Sequence, residues 1–285
     1  MLEYFLYRIG ELIALSLPQK IAYRLAITLS NIHYQFAFRD RKVITDNLKV
    51  IFPEKERREI WRIRKNVFRN FAKYLTDFLR FKKLDVEYIK RNVRLINISN
   101  INEGLKSGNG VILVTAHLGN WELGGVVLSM LDFPITSVAL PHKSEKVDKF
   151  FNTQRESKGI KIFSLGKAAK ACFRELRKNN VIALVGDRDF SGKGMVTQFF
   201  NKPTIFPEGP AALSLKTNAV IIPGFMLRNS DDTFSLIMEQ PLAYRPSGDP
   251  KLDLEQIISS YRCVFEKYIR EYPDQWYMFR RFWRE

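Results

Sequence analysis

His117 and Glu122 stand five residues apart in the run Thr115-Ala116-His117-Leu118-Gly119-Asn120-Trp121-Glu122. An imidazole with a carboxylate partner is the usual equipment of a general base. The carboxylate fixes the tautomer and supports the imidazolium, and the second ring nitrogen takes a proton from an incoming hydroxyl. On a regular helix, positions five apart point about 140° away from each other. The pair is therefore expected to meet only if His117 precedes the first helical turn, with Gly119 easing the bend. The helix start also supplies free backbone N–H groups near any developing oxyanion. No His-Glu-x-x-His occurs, and His33 and His142 have no ligand spacing to His117, so no metal site is expected.

The surrounding pattern implies how this run is held. Val111 to Ala116 is an apolar, β-branched stretch of the kind found in buried strands, and Ile135 to Leu140, Val181 to Val185 and Val220 to Ile222 resemble it. Helical segments separate them, at Trp121 to Leu131, Glu145 to Glu156, Lys167 to Lys178 and Glu208 to Lys216. Phe234 to Met238 follows as a strand and Leu254 to Glu271 as a closing helix. The alternation predicts an α/β fold with a mainly parallel central sheet flanked by helices, and a site beyond the carboxyl ends of its strands.

Before residue 100 the pattern is helical and basic. The 285-residue chain has a net charge of +16, which selects for a polyanionic partner, nucleic acid or an anionic bilayer. The surplus is uneven: +11 over residues 1–100, +5 over 101–200 and zero over the remainder. Leu2, Phe5, Leu6, Ile9, Leu12 and Ile13 follow a helical apolar spacing that Pro18 should end. The longest uncharged run of the next stretch, Leu25 to Phe38, has 14 residues, short of the roughly 20 a bilayer span requires. The expectation is an amphipathic membrane-binding hairpin in the headgroup region, peripheral or with one short membrane helix, with Tyr4, Tyr7, Tyr23 and Tyr34 as interfacial anchors. The chain thus divides into a helical, basic, membrane-associating region over 1–100 and an α/β domain over 101–285, with a hinge near Ser99 to Asn109. Cys172 and Cys263 form no metal spacing or disulfide framework.

His117-x4-Glu122 in the setting HLGNWE resembles the motif of the bacterial lipid A biosynthesis acyltransferases, the lauroyl and myristoyl transferases of the glycerolipid acyltransferase superfamily. Further blocks follow in that family's order: Gly186-Asp187-Arg188-Asp189, Phe199-Phe200 with Pro203, Phe206-Pro207-Glu208-Gly209-Pro210, Ile221-Ile222-Pro223, and Tyr272-Pro273-Asp274-Gln275-Trp276 with Arg280-Arg281-Phe282. Asn47-Leu48 with Phe52-Pro53 resembles an early block. Pro210-Ala211 stands where glycerol-phosphate acyltransferases tend to have Thr-Arg, which argues against glycerol 3-phosphate as acceptor.

The resemblance implies transfer of a fatty acyl chain from acyl carrier protein or coenzyme A, a co-substrate rather than a cofactor, to a hydroxyl of a lipid A precursor-type glycolipid. The expected place is the cytoplasmic face of the bacterial inner membrane. The resemblance makes His117 and Glu122 the catalytic pair and gives Glu208 and Gly209 a substrate-binding role; Arg155 and Arg188, through their planar donors, with Asn120 and Asp187, are the further expected substrate-binding residues. Another glycolipid acceptor, such as a phosphatidylinositol mannoside, or water in a thioesterase, fits the same dyad. A basic nucleic-acid-binding protein is the alternative of another class. No helix-turn-helix, zinc-finger or RNP signature supports it, so no nucleic-acid partner is expected.

Overall fold

The structure is a computed structural model that describes residues 1–190, 192 and 194–283; residues 284–285, the end of the expected α/β domain, lie outside it. Five helices open the chain: α1 (Leu2–Ser16), α2 (Gln19–Phe36), α3 (Phe38–Ile51), α4 (Arg57–Leu79) and α5 (Val86–Asn92). Then come β1 (Val93–Ile96), α6 (Ser99–Leu105), β2 (Val111–Thr115), α7 (Trp121–Met130), β3 (Ile135–Ala139), α8 (Glu145–Glu156), β4 (Lys161–Ser164), α9 (Ala168–Leu176) and β5 (Val181–Val185). The hairpin β6 (Met195–Phe199) and β7 (Lys202–Phe206) leads to α10 (Gly209–Thr217), β8 (Val220–Arg228), β9 (Phe234–Met238) and α11 (Pro250–Glu271).

Seven strands form one sheet in the order β1-β9-β8-β2-β5-β3-β4, parallel throughout except where β8 and β9 run antiparallel. Helices cover both faces. One core contains Ile112, Val114, Cys172 and Ile182 under α9, α10 and α11; the other contains Val111, Leu113, Val127, Ile135 and Ile160 under α7 and α8. The α/β class with a mainly parallel sheet is as the sequence implies. The short edge strands β1 and β4 and the β6–β7 hairpin lack a distinguishing apolar run and emerge only from pairing.

The expected division near residue 100 does not coincide with a structural break. β1, from within the 1–100 segment, pairs with β9 at the sheet edge. The expected hinge at Ser99 to Asn109 contains α6, where Ile101 is fully buried and a Cβ at Gly104 would sit 2.8 Å from the side chains of both Val111 and Val220. Packing that close holds the segment against the sheet.

The helical ends show two opposite uses of amphipathicity. On α4 the apolar face is inward, burying Ile60, Val67, Phe68 and Phe78, and Glu56 and Glu59 close a capping box at its start. On α1 the apolar residues Leu2, Phe5, Leu6, Ile9, Leu12 and Ile13 are all exposed, and the buried side chains are Glu11 and Ala14. Glu11 receives Arg8 at 3.1 Å, Lys82 at 2.8 Å and Gln154 at 2.6 Å. Ile21, Leu25, Leu29, Ile32 and Phe36 of α2 are likewise exposed. Tyr23 and Tyr34, expected as interfacial anchors, are instead buried: Tyr23 donates to Asp77, and the Tyr34 hydroxyl accepts from Arg64. Their hydroxyls serve internal hydrogen bonds that hold α2 onto α4. Among the described residues no helix is long and apolar enough to cross a membrane.

Candidate active site

β2 lies in the middle of the sheet between β8 and β5, so its last residues emerge at the carboxyl edge with neighbours on both sides. Thr115 pairs with Val185 in register, which places His117 and Asp187 equivalently, each two residues beyond a paired strand end. The His117 Nδ1 lies 2.6 Å from Asp187 Oδ1, and the His117 backbone N–H donates to Asp187 Oδ2 at 3.0 Å. Trp276 Nε1 donates to the same oxygen at 3.2 Å. Asp187 is fully buried. Burial opposes its ionisation, yet the His117 ring and N–H together with Arg188 outweigh burial and hold the carboxyl at about 2. An ionised Asp187 accepts from Nδ1–H, so Nε2 is the ring nitrogen with the free lone pair.

The turn after His117 is fixed from three directions. Gly119 has φ +65°, and a Cβ there would fall 2.1 Å from the carbonyl oxygen of Met226; no other residue fits. The Gly119 N–H donates to the Gln275 carbonyl, Asn120 N–H to Met226, and Tyr277 N–H to the His117 carbonyl. Asn120 Oδ1 caps α7 by accepting from Leu123 N–H at 3.1 Å, and its Nδ2 donates to Asp77 Oδ2 at 2.9 Å. Buried Asp77 on α4 also holds Arg228. One face of α4 thus reaches the site three times: Tyr74 stacks on Trp121 at 4.7 Å, Asp77 holds Asn120, and the Phe78 ring lies under the Arg155 guanidinium at 5.7 Å. Trp121 in turn meets the His117 ring edge-on at 5.1 Å.

Glu122 does not serve His117. It makes a two-pronged ion pair with Arg155 of α8, Nη2–Oε1 at 2.6 Å and Nε–Oε2 at 2.8 Å. Burial on its own would lower the Arg155 pKa, but Glu122 overrides it and raises it. The expected His117–Glu122 pair is therefore corrected to His117–Asp187 and Glu122–Arg155. The reason is geometric: β5 is bonded to β2, so its end delivers a carboxylate beside His117, whereas Glu122 is already in the first turn of α7. Three substrate-binding assignments change with it. Asn120 is 2% exposed and its amide is spent on the cap and Asp77, Asp187 is the imidazole's partner, and the Arg155 guanidinium is engaged by Glu122.

Beyond the His117 ring opens a cavity of about 1200 Å³ to which His117, Trp121, Glu122, Arg155, Arg188, Glu208 and Gly209 all contribute. Residues of β3, β5, α7, α9 and α10 line it, among them Lys170, Arg174 and Lys216. Arg188 donates to the Met278 sulfur at 2.8 Å and more weakly to the Tyr277 carbonyl. Among the described residues it has no carboxylate within ion-pair distance. The cavity exceeds the roughly 300–1,000 Å³ of a single small-ligand pocket, and its walls are chiefly aliphatic and aromatic. Sequence reasoning quoted Asp187 but gave it another role. The available signal was that 117 and 187 each follow a five-residue apolar strand by two positions.

The sequence profile of the family described as bacterial lipid A biosynthesis acyltransferase matches residues 1–285. A phosphatidylinositol mannoside acyltransferase of Mycolicibacterium smegmatis is 28% identical over 75% of this chain and 70% of its own length. The lipid A biosynthesis lauroyltransferase of Escherichia coli is 25% identical over 95% of this chain and 88% of its own. The solved 1-acyl-sn-glycerophosphate acyltransferase of Thermotoga maritima aligns with 87% of this chain and 98% of that one, at 12% identity and a TM-score of 0.38.

Proposed function

The chain belongs to the bacterial lipid A biosynthesis acyltransferases, and from that premise we propose that it moves a fatty acyl chain from an acyl thioester to a hydroxyl of a lipid A precursor-type glycolipid. The observation that carries this reading is the buried Asp187–His117 pair, 2.6 Å between Oδ1 and Nδ1, opening onto a large apolar cavity. His117 Nε2 takes the hydroxyl proton as the acceptor oxygen attacks the thioester carbonyl carbon. Collapse of the tetrahedral intermediate breaks the C–S bond, and the leaving thiolate takes the proton back from the imidazolium. Asp187 stabilises that imidazolium and keeps Nε2 facing the substrate. A thioester is already activated, so base, orientation and charge stabilisation suffice without an acyl-enzyme. Glu122 and Arg155 brace α7 against α8 at the cavity wall. Arg188, Glu208 and Gly209 are assigned to substrate contacts, and Arg188, which among the described residues has no carboxylate within ion-pair distance, suits an anionic oxygen.

The donor in this reading is acyl carrier protein or coenzyme A. Attachment is peripheral, at the cytoplasmic face of the inner membrane, through the outward apolar faces of α1 and α2. Leu2, Leu6, Ile9, Leu25 and Leu29 would enter the headgroup region, with basic residues of the first hundred adding about 1 kcal/mol each near an anionic surface. A phosphatidylinositol mannoside acceptor is the second reading, favoured by the 28% identity to the mycobacterial enzyme. The test incubates purified protein with acyl carrier protein and coenzyme A thioesters and each glycolipid, then identifies products by mass spectrometry. A single acylated glycolipid, absent with His117→Ala, is the expected result; undiminished product with His117→Ala would remove the mechanism.

A further inference from the structure

The two adjacent glycines of α7 have different surroundings. Gly124 is buried, and a Cβ there would meet Met226 Cβ at 3.2 Å, so it lets the helix pack on β8. Gly125 is half-buried, lines the cavity, and would meet only the far end of Ile160, Cδ1 at 3.3 Å. Glycine weakens a helix interior relative to alanine, and here neither backbone geometry nor backbone contact requires it. A side chain there would enter the cavity against Ile160.

That part of the cavity is a narrow slot. Along β3, Ile135, Ser137 and Ala139 share one face, and with Ala183 of β5 they form the wall opposite Gly125; all line the cavity. Ser137, Ala139 and Ala183 are half-buried although they lie within the sheet, whereas Ile135 and Ile160 at the far end are 2% and 4% exposed. The Ser137 hydroxyl donates to the Ala183 carbonyl at 3.2 Å, so this wall offers no free donor. From Ala139 to Ile135 the slot is about 13 Å deep at the strand rise. α7 returns antiparallel to the strands it connects, which puts Gly125 about 6 Å further along the helix axis than Trp121.

We propose that Gly125 sets the length of the linear saturated acyl chain this protein accepts, by leaving the slot open beside Ile160 towards Ile135. The inference rests on the acyl-transfer reading. A side chain at 125 would narrow the slot against Ile160, and a methylene that loses its place in such a pocket costs roughly tenfold or more in discrimination.

The experiment uses the full-length protein with Gly125→Ala, Gly125→Leu and Ile160→Ala. The readout is relative kcat/KM along a ladder of even-numbered saturated thioesters from octanoyl to stearoyl. A second arm holds the thioester fixed and varies the chains of the acceptor. The expected result is a stepwise shift of the preferred chain to shorter lengths in the order Ala then Leu, by tenfold or more in the ratio of long to short for Leu, and a shift to longer chains for Ile160→Ala. The arm in which the shift falls identifies the chain as the donor's or the acceptor's. Gly125→Ala gains helix propensity but brings a Cβ within 3.3 Å of Ile160 Cδ1, so thermal unfolding of each variant is measured alongside; the ratio of long to short chains, unlike total activity, does not fall with a weakened fold. Calorimetric binding of the same thioesters keeps the length profile readable if no acceptor is acylated, which separates failure of the acyl-transfer reading from failure of this one. An unchanged profile in both arms, in turnover and in binding, overturns the proposal.

Discussion

Glu11 and Asp187 are both carboxylates with almost no exposed surface, yet their surroundings assign them different work. Glu11 gathers Arg8 of its own helix, Lys82 just beyond α4 and Gln154 of α8. Those contacts seat a helix whose apolar face is left outside. Asp187 gathers His117 and Trp276, and one of these partners retains a free nitrogen at a cavity. The role of a buried charge is thus read from what its partners present: cations and an amide that tie α1 to its neighbours at Glu11, a proton acceptor facing a cavity at Asp187.

The largest effect that would break this contrast is Asp187→Asn, which removes the charge that fixes the tautomer of His117. Turnover should fall on the order of 100- to 10,000-fold, with the fold intact by circular dichroism; a loss below tenfold would return Asp187 to a structural role. On the other side, Leu6→Asp with Ile9→Asp on the exposed face of α1 should abolish flotation with anionic vesicles, since each buried aliphatic side chain is worth about 2 kcal/mol. Undiminished flotation would mean that another surface meets the lipid.

Acid should separate the regions further. The folded pKa of Asp187 lies below its unfolded value, so its contribution is fully present above about pH 4 and is lost as pH falls towards about 2. This amounts to ~2 kcal/mol, visible as a shallower acid dependence of urea unfolding in Asp187→Asn. The smallest effect expected is that of Glu11→Gln, which keeps one of the two oxygens that receive Arg8 and Lys82 and costs about 1 kcal/mol. It should speed proteolytic nicking within α1 while kcat towards detergent-dispersed substrate stays as in the parent. A matching fall in kcat would erase the distinction between the two carboxylates.

Local pattern was enough to determine much of this protein. The strands at Val111 to Thr115, Val181 to Val185 and Phe234 to Met238 carry apolar, β-branched runs, and Pro18 marks the end of α1, because these signals depend on neighbours along the chain. The apolar stripe of α1 was equally legible. Which way it faces was not: periodicity defines a face, and only the docking of Glu11 decided that the stripe points outward. The same holds at the site. His117 at a strand end was visible in sequence, but its partner depended on strand order. Parallel pairing of β2 with β5 brings together residues 70 positions apart, and a hydrogen-bonded register carries no signature in either strand alone. Glu122, nearer in sequence, was turned by the first turn of α7 towards Arg155.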